Sequence, residues 1–239
     1  MIRQRTIFAK STLIGFFCLC ASLSNGQVLI ALLFGEKLNT GKMEFGLSGG
    51  LNMAGISNLE AGAMRKSLNL GLYFDIRLND RWSIHPEAVP KFPGGKNKLS
   101  PYSLGDPGLD TLFQEGKVSR KIQNIALPLL MRYRIASLLF AEAGPQINLR
   151  TKAKDIFESG SLSYENKIEE TITRFDFGFS FGVSQKLRKG IGAMAIGARY
   201  YIGLTDMDKL KNGTQTNQIF QALLSIPIGA GKSKKSNGN

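Results

Sequence analysis

From Phe175 to Val183 every second residue is large and apolar: Phe175, Phe177, Phe179, Phe181 and Val183 alternate with Asp176, Gly178, Ser180 and Gly182. A period of two sends these side chains to opposite faces of an extended chain, so the segment reads as a strand with one apolar and one small or polar face. Leu68, Leu70, Leu72, Phe74, Ile76 and Leu78 repeat the pattern, as do Ile125, Leu127, Leu129, Met131, Tyr133 and Ile135. Weaker alternation covers 43–52, 81–89, 138–150, 192–204 and 217–228. Eight strands are expected, each near the ~10 residues that cross a bilayer at a tilt.

The connections between them alternate in length: 53–66, 79–80, 90–118, 136–137, 151–170, 186–191 and 205–216, long then short. The two-residue links Asn79-Asp80 and Ala136-Ser137 demand antiparallel hairpins. Tight turns at one end and long loops at the other describe an up-and-down barrel of the bacterial outer membrane rather than a Greek-key sandwich. The expected fold is therefore all-β, an eight-stranded antiparallel transmembrane barrel over 43–228.

A soluble barrel also alternates, with its apolar face inward, and the type of charged residue separates the two cases. A water-facing sheet normally carries Lys. Here the polar faces hold Glu44, Asp75, Arg77, His85, Glu87, Arg132, Arg134, Glu142, Asp176 and Arg199, while Lys sits in connections and at strand ends. With Arg174 added, these residues are expected to form an ion-pair network inside the barrel. On the apolar face, Phe45, Trp82 and Tyr133 near the turn end and Phe175, Tyr200 and Phe220 near the loop end are expected to form two aromatic girdles. Pro86, Pro128, Pro145 and Pro227 lie inside proposed strands, so bulges or local fraying are expected, above all at Pro128 and Pro145.

The chain starts with an address. Arg3, Arg5 and Lys10 precede the apolar stretch 11–23, and Ser24-Asn25-Gly26 supplies small residues for cleavage, so 1–26 reads as a signal peptide. Both cysteines, Cys18 and Cys20, fall inside it. Its removal takes three basic residues and lowers the net charge from +13 to +10. Residues 27–42 are an N-terminal lead-in and 229–239 a flexible basic tail.

Asn124-Ile125-Ala126-Leu127-Pro128-Leu129-Leu130-Met131-Arg132-Tyr133-Arg134, followed by Phe140-Ala141-Glu142-Ala143-Gly144-Pro145-Gln146, resembles the PorT-type outer membrane β-barrel family of Bacteroidetes. Arg199-Tyr200-Tyr201-Ile202-Gly203-Leu204-Thr205-Asp206 and Asn217-Gln218-Ile219-Phe220 are similar to the same porin-like family. The resemblance covers about 43–228. It implies an outer membrane location and, for the founding members, assistance to type IX secretion.

Eight strands enclose an interior that side chains fill, so the expected lumen is closed and the protein structural or accessory, with a narrow gated pore as the alternative. A lipid-modifying enzyme is the third reading: His85 and Glu87 share one face, as a base and its orienter would, but residues two apart in any strand do so. No phosphate-binding loop or zinc-spaced His/Cys group is present, and neither catalytic residue, metal nor cofactor is expected. Asp106 and Asp110 are the one pair placed to touch a divalent ion. The loop 90–118 is apolar enough to fold over the barrel mouth or to serve as a docking surface. Expected partners are outer membrane lipids and envelope or secretion proteins, not nucleic acid.

Overall fold

A strand with alternating polarity exposes or buries each face as a unit, and a ring of such strands leaves no unpaired edge. The computed structural model of the chain describes residues 42–59, 62–190, 192–208 and 213–228. The expected signal peptide, nearly all of the lead-in and the basic tail lie outside the described residues. The strands are β1 (Met43–Ile56), β2 (Ala63–Arg77), β3 (Trp82–Leu99), β4 (Lys117–Arg134), β5 (Leu139–Ser159), β6 (Leu162–Lys167), β7 (Phe175–Lys186), β8 (Ala195–Gly203) and β9 (Asn217–Pro227). Their order is β4-β3-β2-β1-β9-β8-β7-β5, and β4 pairs with β5 to close a ring of eight. The neighbours within the ring are antiparallel. The expected barrel is what the chain forms.

β6 is the unforeseen ninth strand. It hangs on β5 outside the ring, across the tight turn at Gly160, whose φ of +56° is a left-handed conformation. The 151–170 segment is therefore mostly hairpin. Likewise β3 runs on to Leu99 and β4 starts at Lys117, so the expected 90–118 loop shrinks to 100–116, which contains the short helix α1 (Pro107–Phe113). Pro90, Pro93, Gly94 and Gly95 disguise this part of β3 as a loop. The strand accommodates them by taking one extra residue between Val89 and Phe92 and another between Lys96 and Leu99, where Lys98 adopts a φ of +59°.

Strands of 18 residues in β3 and β4 and 21 in β5 are about twice what a bilayer needs. The outward face shows where the surplus begins. On β4 it changes from Ile125 and Leu127 to Gln123 and Lys121, and on β5 from Ile147 and Leu149 to Lys152 and Lys154. Those changes are level, because Ile125 pairs with Leu149 and Gln123 with Lys152. At that height β5 carries an extra residue, Thr151, whose Oγ1 donates to the Gln123 carbonyl at 3.1 Å. The bulge reverses parity: Gln146 and Asn148 point inward below it, Ala153, Asp155 and Phe157 above it. Beyond the bulge the interior becomes mostly apolar around a buried ion-pair group, Arg120 with Asp155 and Asp208. Leu99, Phe113, Val118 and Phe157 form one cluster, and Ile56, Ile122, Ala153, Ile168, Ile172 and Met207 another. Residues 100–116 thus fold onto the extension, with Phe113 of α1 as their anchor.

The prolines distort less than expected. Pro128 pairs with Gln146 and Met131 with Ala143 in one continuous register, so the ladder is interrupted between them without a bulge. Pro145 sits in unbroken register with β7, opposite Phe179. Gly144 makes this possible, since any Cβ there would run into the Leu129 carbonyl of β4. Gly144→Val is expected to destabilise the folded barrel by about 1–3 kcal/mol or to block closure outright, read as a lower urea midpoint after refolding into liposomes.

Candidate functional site

The inward residues of the membrane-spanning half are charged, and a charge there is stable only when paired or hydrogen-bonded. Arg199 on β8 is buried and reaches two carboxylates. Its Nη2 lies 2.7 Å from Glu87 Oε1 and 2.7 Å from Glu142 Oε1, its Nη1 3.1 Å from Glu87 Oε2, and its Nε 2.9 Å from Glu142 Oε1. β8 and β3 are diametrically opposite in the ring, so the Arg199–Glu87 contact spans the full lumen. Arg132 on β4 pairs with Asp75, approaches Glu142 Oε2 at 3.3 Å and donates to Ser184 Oγ at 2.6 Å. His85 Nε2 lies 3.0 Å from Glu87, its ring stacks on Tyr73 at 5.0 Å, and its Nδ1 is 3.4 Å from Arg132 Nη1. Glu44 accepts from Lys186 Nζ at 3.0 Å and from the Tyr73 hydroxyl at 3.3 Å.

The expected network contains Glu44, Asp75, His85, Glu87, Arg132, Glu142 and Arg199, and it departs from expectation at four residues. Arg77 and Arg134 are the last residues of β2 and β4, so they reach the rim instead of the lumen. Arg77 is exposed, and Arg134 lies over the Phe140 ring at 5.7 Å with its Nε buried and unbonded. Arg174 precedes β7 and is exposed. Asp176 is inward and buried, but its neighbours are amides: Asn217 Nδ2 donates to its Oδ2 at 2.7 Å and Asn148 Nδ2 at 3.1 Å. Gln146 continues this layer, donating to Asn148 at 2.7 Å and accepting from Ser180 at 2.7 Å. Lys186 is the member that sequence reasoning missed, although its parity with Ser184 and Asp176 was a usable signal. Above the amides, Phe92 meets Tyr201 edge-on at 6.5 Å, again across the ring from β3 to β8.

Trp82, Phe175 and Phe220 are exposed on the outer face, and Tyr133 and Tyr200 are half-buried there. Trp82 packs at a tilt against Tyr133 at 4.7 Å and Tyr200 against Phe181 at 5.7 Å. Phe45 differs. It has outward parity, yet it is only 1% exposed and packs on Phe74 at 4.9 Å, so it presents no ring to lipid.

In the extension, Arg120 forks onto Asp155 with contacts of 3.0 and 2.8 Å. Tyr102 donates to Asp155 Oδ2 at 3.0 Å, and burial together with that carboxylate pushes its phenol up to about 12. Asp106 caps α1 by accepting from Gly108 N at 2.8 Å and Leu109 N at 3.2 Å. Asp110 accepts from Ser103 Oγ at 2.6 Å and Leu104 N at 2.7 Å. Both carboxylates hold the connection in shape. No group of three metal-ligating side chains occurs among the described residues.

Ring closure, an apolar outer belt and a paired lumen are the properties of a barrel built for lipid. Residues 34–209 match the family described as outer membrane protein beta-barrel domain. The chain belongs to that family. No curated protein matches it. Among solved structures, the attachment invasion locus protein Ail of Yersinia pestis is 12% identical, with a TM-score of 0.40 over 78% of this chain and 99% of that one. Neisserial surface protein A is 12% identical, with a TM-score of 0.41 over 77% and 96%. OprG from Pseudomonas aeruginosa is 12% identical, with a TM-score of 0.40 over 78% and 93%. As an outer membrane protein beta-barrel domain, the chain carries its short turns at one end of the ring and its long extension at the other.

Removing Arg199 strands two buried carboxylates. Arg199→Met is expected to cost about 3–5 kcal/mol, lowering the temperature at which the folded band disappears in unheated gel electrophoresis. The Asp110 carboxyl is held below its ordinary range by the bonds from Ser103 and Leu104. A depressed carboxyl stabilises at pH above the unfolded value and loses that contribution as pH falls through the folded one. Pepsin cleavage within 100–116, normalised to an unfolded peptide, is expected to accelerate as pH drops below about 4 and to lose this dependence in Asp110→Asn.

Proposed function

We propose that this outer membrane barrel is a closed, non-enzymatic element of the PorT kind, accessory to an envelope or secretion assembly. The carrying observation is the Arg199–Glu87 contact across the whole diameter of the lumen. A solute path at this level requires breaking a buried ion pair, which argues against a resting pore. His85 is 3% exposed and flanked by Glu87, Arg132 and Tyr73, an arrangement that offers a lipid substrate no approach. The extension supports a partner-binding role. It is a folded outer platform with Leu112 at 53%, Leu162 at 47% and Tyr164 at 37% exposure. Partners of this reading are outer membrane lipids and envelope or secretion proteins, after cleavage of the leader near Gly26.

Planar bilayer recording tests the closed lumen. The purified barrel is expected to give no conductance steps, whereas Arg199→Ala with Glu87→Ala opens salt-dependent ones. Steps from the unaltered protein would establish the gated pore instead. Affinity purification from outer membranes in mild detergent tests the accessory role, with a near-stoichiometric envelope protein as the expected companion and a lone monomer as the contrary result.

A further inference from the structure

Below the lumen network, at the turn end, lies a chamber of about 440 Å³. Cations crowd its wall: Lys42, Arg77, Arg81, Arg134, Lys186, Arg188 and Lys189. Three carboxylates also line it, and two of them are committed, Glu44 to Lys186 and Asp75 to Arg132. Asp80 in the β2–β3 turn is the third. Among the described residues, no ion pair is formed by Arg77, Arg81, Arg134, Arg188 or Lys189, so one remaining carboxylate faces five cations. Like charges gathered around a partly enclosed space repel one another, and an anion in that space relieves the repulsion.

The chamber also has orientation. Arg134 enters it from the end of β4, backed by the Phe140 ring, with its Nε buried and unbonded. Arg81 and Arg188 approach from two different turns, with Arg81 donating to the Tyr133 hydroxyl at 3.4 Å and Arg188 to the Gly192 carbonyl at 3.1 Å. Guanidinium groups from a strand end and two turns line this one chamber, and together they offer the several donors that the acceptor oxygens of a phosphate take. Leu138, Phe140 and Met43 supply an apolar wall, and the volume leaves room for a substituent beside the phosphate.

We propose that the periplasmic mouth of this barrel is a binding site for a phosphate-bearing anion, clamped by Arg134 from within and by Arg77, Arg81 and Arg188 at the rim. The phosphate belongs either to a phospholipid headgroup of the inner leaflet or to a small soluble phosphate. The site stands whether or not the lumen conducts.

Occupancy of the chamber is read as heat by isothermal titration calorimetry. The full barrel in non-ionic detergent is titrated separately with inorganic phosphate, glycerol 3-phosphate and dihexanoyl phosphatidylglycerol, with sodium chloride matching the ionic strength. A saturable change with at least one phosphate-bearing probe, absent with chloride, is expected. Saturation by the lipid alone assigns the headgroup, and saturation by inorganic or glycerol phosphate assigns a soluble ligand. Arg134→Gln is expected to weaken binding about tenfold by removing a charge-assisted contact. Arg77→Gln, at an exposed position that leaves the packed lumen untouched, provides the same comparison should Arg134→Gln fail to fold. Responses that stay linear, that chloride reproduces, or that persist undiminished in folded Arg77→Gln and Arg134→Gln barrels would overturn the site.

Discussion

Arg199 is the hinge of the architecture. A guanidinium inside a membrane barrel must find its counter-charges within the ring, and it does so on β3 and β5 at once, with Arg132 completing the set through Glu142 and Asp75. Apart from Arg132–Glu142, a ladder pair between β4 and β5, these contacts tie together strands that share no backbone ladder. The outer belt of Phe177, Phe179 and Phe181 can then face lipid because no inward charge is left to draw water through the wall. The amide layer around Asp176 performs the same neutralisation with dipoles instead of full charges.

The barrel is two interiors stacked on one set of strands. Within the membrane the centre is polar and the surface apolar; outside it apolar clusters surround the buried Arg120–Asp155 pair and the surface is polar. The Thr151 bulge lies on the border, where one extra residue exchanges the faces of β5. β5 thereby serves both environments, keeping β4 on one side throughout while β7 gives way to β6 on the other.

Much of this was legible in the alternation. Strand number, antiparallel closure, inward and outward faces and seven members of the ion-pair network follow from period two and from the absence of Lys on the polar faces. What escaped has specific causes. Pro90, Pro93 and the Gly94-Gly95 pair read as a loop because the bulges that absorb them are tertiary features. Arg77 and Arg134 have inward parity, but parity does not tell how close a residue stands to the end of its strand. Asp176 lost its expected arginine because its cross-ring neighbours depend on barrel shear, which no local pattern encodes. Phe45 shows the converse, an outward position that is nevertheless buried.

The apolar clusters of the extension have a consequence for assembly. Phe113, Phe157, Ile122 and Met207 meet only on the far side of the membrane, and they come from connections and strands distant in the chain. Neither cluster can form until those segments stand together at the extension end of the ring, so the platform's packing depends on ring closure more than the lumen's local pairs do.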